Sequence, residues 1–485
     1  MAKFCLALSA ALTLAAAVYG LDVDAGLELG ASTETPNALW GSVNGGFSLD
    51  ADAFELFGEM FLDNRGLYGG FFGGQFGYGG LSFSFGEAGL RYSGGLFTLE
   101  AGRLVLKDIL DSPYSLFLSS RDNVALGGAL LYDDGVFAYS SRWVALNYDV
   151  RDTVNPELPD TPVPDRSAII KSWSLRLGSF RVAFQDAAVI TNLADIEASA
   201  DPTLDRGPLF DPEYFLVPLP GFFIQYIGFR QDAPWEKRVL DDNSIMGFLV
   251  DWDEGPWYAA LQVLVDDFNA NRFINPDGNQ NPDKLAWTLG GRWDGGALGT
   301  FGFWHAGATM YTFQPYGSSG VNKQYGYTFY PYVSYYVDGL PLAFEPEANY
   351  LGYLHGENNL AFMATWDGQA AGLTLAGTLE FTLSGSKSPA NPWHEYESYL
   401  DYGEGTRFLD DPVLEKKVVL TASASFPLGD FELGAECGLG GVWNRLALSP
   451  SGSVDLENVI SIYRPSAEHG LIAWFTLGAR YRLSL

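Results

Sequence analysis

From Leu471 to Leu485 apolar and polar residues alternate without a break. Leu471, Ala473, Phe475, Leu477, Ala479, Tyr481, Leu483 and Leu485 fall on one face, with Thr476, Gly478, Arg480, Arg482 and Ser484 among those opposite. A period of two over that length is a β-strand with one greasy side, and that side must be covered by another sheet or by lipid.

The same pattern recurs across tight turns, where it becomes a test of register. In an antiparallel hairpin closed by two residues, the turn decides which side chains oppose, so apolar sets must match across it. Around Gly178-Ser179, Leu177, Leu175 and Trp173 meet Phe180, Val182 and Phe184, while Arg176 meets Arg181 on the other face. Around Gly429-Asp430, Leu428, Phe426, Ala424, Ala422 and Leu420 meet Phe431, Leu433, Ala435, Cys437 and Leu439. Asp338-Gly339 pairs Val337 with Leu340 and Tyr335 with Leu342, and leaves Glu345 on the polar side. Gly94-Gly95 would pair Tyr92 with Phe97 and Leu90 with Leu99; Gly79-Gly80, Asp367-Gly368 and Asp294-Gly295 are further turns.

Between the turns run long polar connections, chiefly Asp152 to Arg166, Asp266 to Lys284, His305 to Gln324 and Asn444 to Glu468, with the two largest at residues 191–242 and 384–416. Short turns at one end and long loops at the other are the layout of a transmembrane barrel. A soluble β-sandwich also alternates, but its tight turns do not all gather at one end. The fold expected is therefore all-β: a transmembrane antiparallel up-and-down β-barrel of about 18 strands, within a range of roughly 16 to 20.

Composition agrees. The chain holds 34 Phe, 26 Tyr and 13 Trp beside 57 Gly, yet is only 47% hydrophobic, as expected when every second residue faces lipid. At the N-terminus Lys3 precedes the apolar run Phe4 to Val18, too short to span a bilayer, and small residues follow; residues 1–20 read as a secretory signal peptide and 21–485 as the barrel. Cys5 falls in the signal, so Cys437 has no intramolecular partner. A formal charge of −31 leaves no basic surface for phosphates, which excludes nucleic acid as a partner.

A closing strand of this kind, with Tyr481 and a terminal hydrophobe on its apolar face, resembles the strand by which bacterial outer-membrane β-barrels are recognised, although Leu485 stands where that family usually ends in Phe or Trp. The resemblance implies the cell outer membrane, contact with its lipid, insertion by the barrel-assembly machinery through the last strand, and a porin-like channel. A second resemblance is carried by Ser115 to Asn123, by Gly352-Tyr353-Leu354-His355-Gly356 and by Tyr402-Gly403-Glu404-Gly405. These patches look like those of Wzi-type capsule-assembly proteins, which implies an eighteen-stranded barrel that holds exopolysaccharide at the cell surface.

The hairpin registers place Arg176, Arg181, Glu345, Glu347, Glu432, Glu436, Arg480 and Arg482 on the polar, lumen-facing side. Such charges either set ion selectivity by their field or are simply solvated or paired across the lumen to stiffen it. Among the loops, Tyr214, Trp235, Trp393, Tyr396 and Tyr402 are aromatics beside carboxylates, suited to stacking on sugars. The apolar stretch Phe215 to Phe229 could equally fold into the lumen as a constriction. No His-Glu-x-x-His or Gly-x-Ser-x-Gly spacing occurs, so an enzyme is not expected, and neither is a cofactor. The leading expectation is a porin-like diffusion channel for small polar solutes or cations; a polysaccharide-binding barrel is second and an outer-membrane enzyme third.

Overall fold

The computed structural model describes residues 21–33, 38–65, 76–78, 81–121, 123–147, 151–152, 161–162, 165–191, 210–228, 243–276, 282–313, 326–329, 336–337, 340–341, 350–387, 406–450 and 461–484. The signal segment 1–20 lies outside them. Eighteen strands form one antiparallel sheet that closes on itself: β1 (Leu21–Ser32), β2 (Leu39–Ala51), β3 (Phe54–Asp63), β4 (Leu81–Gly94), β5 (Phe97–Val105), β6 (Val124–Asp133), β7 (Phe137–Asn147), β8 (Arg166–Leu177), β9 (Phe180–Thr191), β10 (Asn243–Glu254), β11 (Trp257–Asp267), β12 (Lys284–Asp294), β13 (Thr300–Ala308), β14 (Asn359–Ala370), β15 (Leu373–Ser384), β16 (Glu415–Leu428), β17 (Phe431–Trp443) and β18 (His469–Ser484). Each strand pairs with its sequence neighbours, and β18 returns to β1 from Asp24↔Ser484 to Ser32↔Thr476, which removes every edge.

The registers at Gly178-Ser179 and Gly429-Asp430 are those the alternation dictates. Two turns differ. The β4–β5 turn is Gly95-Leu96, so Tyr92 pairs with Leu99 rather than Phe97. A two-residue hairpin turn with one left-handed residue puts glycine first, and Gly95 (φ +61) takes that place as Gly178 (φ +64) does in its own turn. The slip is two residues, so no side chain changes face. Asp367-Gly368 lies inside β14, and the chain reverses at Ala371-Gly372 instead. Val337 and Leu340 do pair, but as a two-residue ribbon outside the barrel sheet, so Asp338-Gly339 is not a barrel hairpin. Tyr78 pairs with Leu81, though Gly79 and Gly80 themselves lie outside the described residues. At the β6–β7 turn, the backbone N–H groups of Phe137 and Val136 hold the Asp134 carboxyl below its ordinary range.

Leu175, Leu177, Phe180, Leu420, Leu433, Leu439 and Leu477 all stand exposed on the outer wall, part of a band of large apolar side chains that runs around the sheet. Only lipid covers such a surface, and no helix among the described residues is long and apolar enough to cross a membrane, so the crossing is made by strands. The protein is an integral barrel of the outer-membrane type.

Cys437 falls in this band, exposed and opposite Ala422. In the barrel embedded in lipid its thiol is expected to resist a charged, membrane-impermeant maleimide and to react quickly after denaturation. Fast labelling of the embedded barrel would mean that β17 faces the other way and that Glu432 and Glu436 point to lipid.

Candidate functional site

The lumen is not empty. Two connections turn inward and pack against the inner faces of β7 to β13. The first is residues 106–121, between β5 and β6; the second runs between β13 and β14 and is described at 309–313, 326–329 and 350–358. Tyr114, Leu116 and Phe117 of the first and Phe313, Tyr327 and Tyr353 of the second are fully buried, in one cluster with Val144, Ala168, Ala187, Ile245, Leu264, Ala286 and Ala306 from the inner faces of β7 to β13. Small wall residues leave room for the aromatic side chains of the inserted segments.

Polar atoms of the inserted backbone are matched one by one, as burial requires. The Asp108 carboxylate accepts from the backbone N–H of Phe117 (2.9 Å) and Leu118 (3.3 Å) and from the side-chain amides of Gln185 (2.8 Å) and Gln262 (3.1 Å). Gln262 in turn accepts from the Leu116 N–H at 2.9 Å and donates to Gln185 at 2.6 Å. Tyr327 donates to the Phe117 carbonyl at 2.6 Å, and Ser119 N–H to the Leu351 carbonyl at 2.9 Å, which ties the two segments together. Burial pushes the Tyr327 phenol well up, so it stays a donor. Glu380 of β15 holds both segments at once, through Tyr114 Oη (2.7 Å) and His355 Nε2 (2.8 Å).

The other half of the wall, from β16 through β18 and on to β4, is not covered by either inserted segment among the described residues, and its charged inward side chains are mostly acidic. Glu28 pairs with Arg65 (3.2 Å) and Arg480 (3.6 Å), and Arg65 lies over the Trp40 ring. These residues line a hollow of about 380 Å³ together with Ser42, Asn44, Phe61 and Asp63. Arg91 is held between Glu55 and Glu100, both at 2.6 Å. Arg65, Arg91 and Arg480 are thus each paired with a carboxylate.

Among the residues singled out from sequence, Arg181 lies on the inner face of β9, pairs with Asp251 and donates to the Ile109 carbonyl at 3.0 Å, so it anchors the first inserted segment. Arg176 stands at the turn end of the barrel in a two-pronged bond to Asp133 at 2.8 and 2.9 Å; both are well exposed, so the pair contributes about 0–1 kcal/mol. Glu432 and Glu436 occupy the inner face of β17, and neither forms an ion pair among the described residues. Arg480 faces the hollow just described; Arg482 is placed by backbone pairing with Gly26, and its side chain lies outside what the structure describes. Glu345, Glu347, Trp235, Trp393, Tyr396 and Tyr402 lie outside the described residues.

Three expectations are corrected. Phe215 and its neighbours do not constrict the lumen: the described part of that connection, 210–228, packs on the outer wall against Trp143, Ile169 and Ile190. The inserted segments already fill the inside. Tyr214 is 1% exposed in that packing, which removes it as a sugar contact. Finally, Ser115 to Asn123 and Gly352 to Gly356, two of the three patches behind the capsule-assembly resemblance, are the inserted segments themselves. Their residues from Ser115 to Ser119 and from Gly352 to Gly356 are almost wholly buried within the barrel, so the exopolysaccharide-holding reading is not supported. The segment at 106–121 had a sequence signal of its own: alternation stops at Val105, and Pro113 cannot donate to a central ladder.

No protein-family model matches the chain, and no curated protein matches its sequence. Among solved structures it is similar to Pseudomonas aeruginosa OccD3 (OpdP), at 10% identity and a TM-score of 0.45, with 96% of this chain and 91% of that one covered. It is similar also to Pseudomonas aeruginosa OprD, at 10% identity and a TM-score of 0.43, covering 96% and 95%. For Acinetobacter baumannii OccAB4 the identity is 8%, the TM-score 0.44 and the coverage 96% and 98%.

Proposed function

We infer that the protein is a diffusion channel of the cell outer membrane that passes small polar solutes and favours cations. The observation that carries this reading is the asymmetry of the lumen. One side of the wall is covered by inserted segments, while the strands from β16 to β4 are not covered by them among the described residues and carry Asp24, Glu28, Glu55, Glu59, Asp63, Glu87, Glu432 and Glu436 against few basic groups. Since Arg65, Arg91 and Arg480 are matched by Glu28, Glu55 and Glu100, the remaining carboxylates set the sign of the field along the open side.

Reversal potentials in planar bilayers under a salt gradient test this. A preference for cations is expected at low salt. It should fade as salt rises, because the screening length falls from about 30 Å at 0.01 M to about 3 Å at 1 M. Replacing Glu432 and Glu436 together by Gln should lower the preference without closing the channel. Equal passage of both signs at low salt would exclude an acid-tuned path, and a silent membrane would exclude the channel.

A further inference from the structure

The helical segment on the outer wall occupies a place where the barrel should meet lipid. It contains α1 (Pro212–Leu216) and α2 (Gly221–Gly228), and its start is fixed by the Asp211 carboxylate, which accepts from the Glu213 and Tyr214 N–H groups. Beneath it lie two residues that lipid would not tolerate. Lys171 and Asp186 are direct partners across β8 and β9, and the registers put them on the outward face with Trp173, Leu175, Val182 and Phe184. Both sit midway along their strands, and both are only 1% exposed. Lys171 Nζ donates to the Val217 and Leu219 carbonyls at 2.7 and 2.8 Å, and the Asp186 carboxylate accepts from the Gly221 N–H at 2.7 Å. The segment thus supplies two acceptors to the cation and one donor to the anion, at a depth where an uncovered charge is strongly disfavoured.

Its far side is apolar: Leu216, Leu219, Phe222 and Phe223 project outward, Leu216 and Phe223 at 58% and 54% exposure. They continue the band formed by Phe248 and Leu175 on the neighbouring strands. The geometry points to a lipid-embedded flap: residues 211–224 clamp onto Lys171 and Asp186 and present acyl chains of the membrane with Leu216, Leu219, Phe222 and Phe223. The occupant is lipid because the patch is continuous with the lipid-facing wall and the segment's contacts to Lys171 and Asp186 are turned inward, while Glu213, in the first turn of α1, is its one exposed charge among residues 211–224. The inference goes beyond the channel reading and does not depend on it, since conductance and flap position are read by different measurements.

A spin label at Phe223→Cys, in a Cys437→Ser background reconstituted into phosphatidylcholine–phosphatidylglycerol vesicles, tests it. Collision with dissolved oxygen should be high and with a water-soluble nickel chelate low, matching a label at Leu289→Cys on the bare wall. Strong collision with nickel would put the segment in water, and weak collision with both reagents would put a second protein copy over it; either result overturns the inference. Adding Lys171→Met removes the two bonds to the flap carbonyls, and a several-fold rise in the mobile fraction of the label at 223 is expected. An unchanged spectrum would overturn the clamp assigned to Lys171.

Discussion

Replacing Asp108 by Ala is expected to release the first inserted segment and raise single-channel conductance. Its carboxylate collects five hydrogen bonds, one from the adjacent Ile109 N–H and two from the Phe117 and Leu118 backbone within a buried turn. Removing the acceptor orphans those N–H groups in a fully buried site, which costs about 3 kcal/mol for the docked arrangement. That shifts a docked-to-released equilibrium by roughly two orders of magnitude. The barrel itself gains from eighteen-fold strand pairing that Asp108 does not touch, so its resistance to unfolding in detergent should stay near that of the parent. Bilayer recordings should show larger and noisier openings, and limited proteolysis should cut between Leu106 and Arg121. Asp108→Asn, which keeps one acceptor oxygen, should fall in between. Unaltered conductance with unaltered cleavage would show that the segment is held by apolar packing alone.

Gly352→Ala is expected to separate the two inserted segments from each other. A Cβ at this position would sit inside contact distance of the Leu116 carbonyl oxygen, with Leu116 C at 3.1 Å and the Tyr327 ring at 3.2 Å. The two nearest crowding atoms are Leu116 backbone, which cannot rotate away as a side-chain tip would. Accommodation therefore requires one segment to move, at about 1–3 kcal/mol or more. The bond from Ser119 N–H to the Leu351 carbonyl, one residue away, should break with it. Hydrogen exchange would report this as lost protection at Ser119, while the Tyr327 N–H, bonded to the Phe313 carbonyl in its own segment, and the amides of β8 to β12 keep theirs. Retained protection at Ser119 would sink the claim that close backbone approach locks the segments. Glu380 gives a milder test, because its loss frees the Tyr114 hydroxyl and His355 but no backbone group.

The barrel was legible because its rules are local. Alternation decides which side of a strand is greasy, and a two-residue turn decides which residues oppose, so the pairings at Gly178-Ser179 and Gly429-Asp430 follow from neighbours in sequence. Where a turn contains two candidate glycines, as at Gly94 and Gly95, the pattern of faces survives a shift of two and cannot choose between registers; backbone dihedrals choose. Arg181, Glu432 and Glu436 could be placed on the inner face by the same counting, but not which of them finds a partner. Arg181 meets Asp251 and the Ile109 carbonyl because β10 and the inserted segment happen to reach it.

The paths of the long connections were decided elsewhere. Phe215 to Phe229 and Tyr114 to Leu118 are both apolar runs between strands, and nothing local says that one lies outside the wall and the other inside. One trace was present: Lys171 and Asp186 fall on an otherwise apolar outer face, which signals that something must cover them. What covers them, and what fills the lumen, depends on contacts between residues far apart in the chain, such as Asp108 with Gln262 and Tyr327 with Phe117. Strand pairing is set by the order and period of residues, so the sequence alone determines a closed barrel with an apolar outside. The fit of a loop into a cavity is set by the shape of that cavity, which exists only after the barrel has closed, and so the inserted segments and the outer helical segment belong to the tertiary structure.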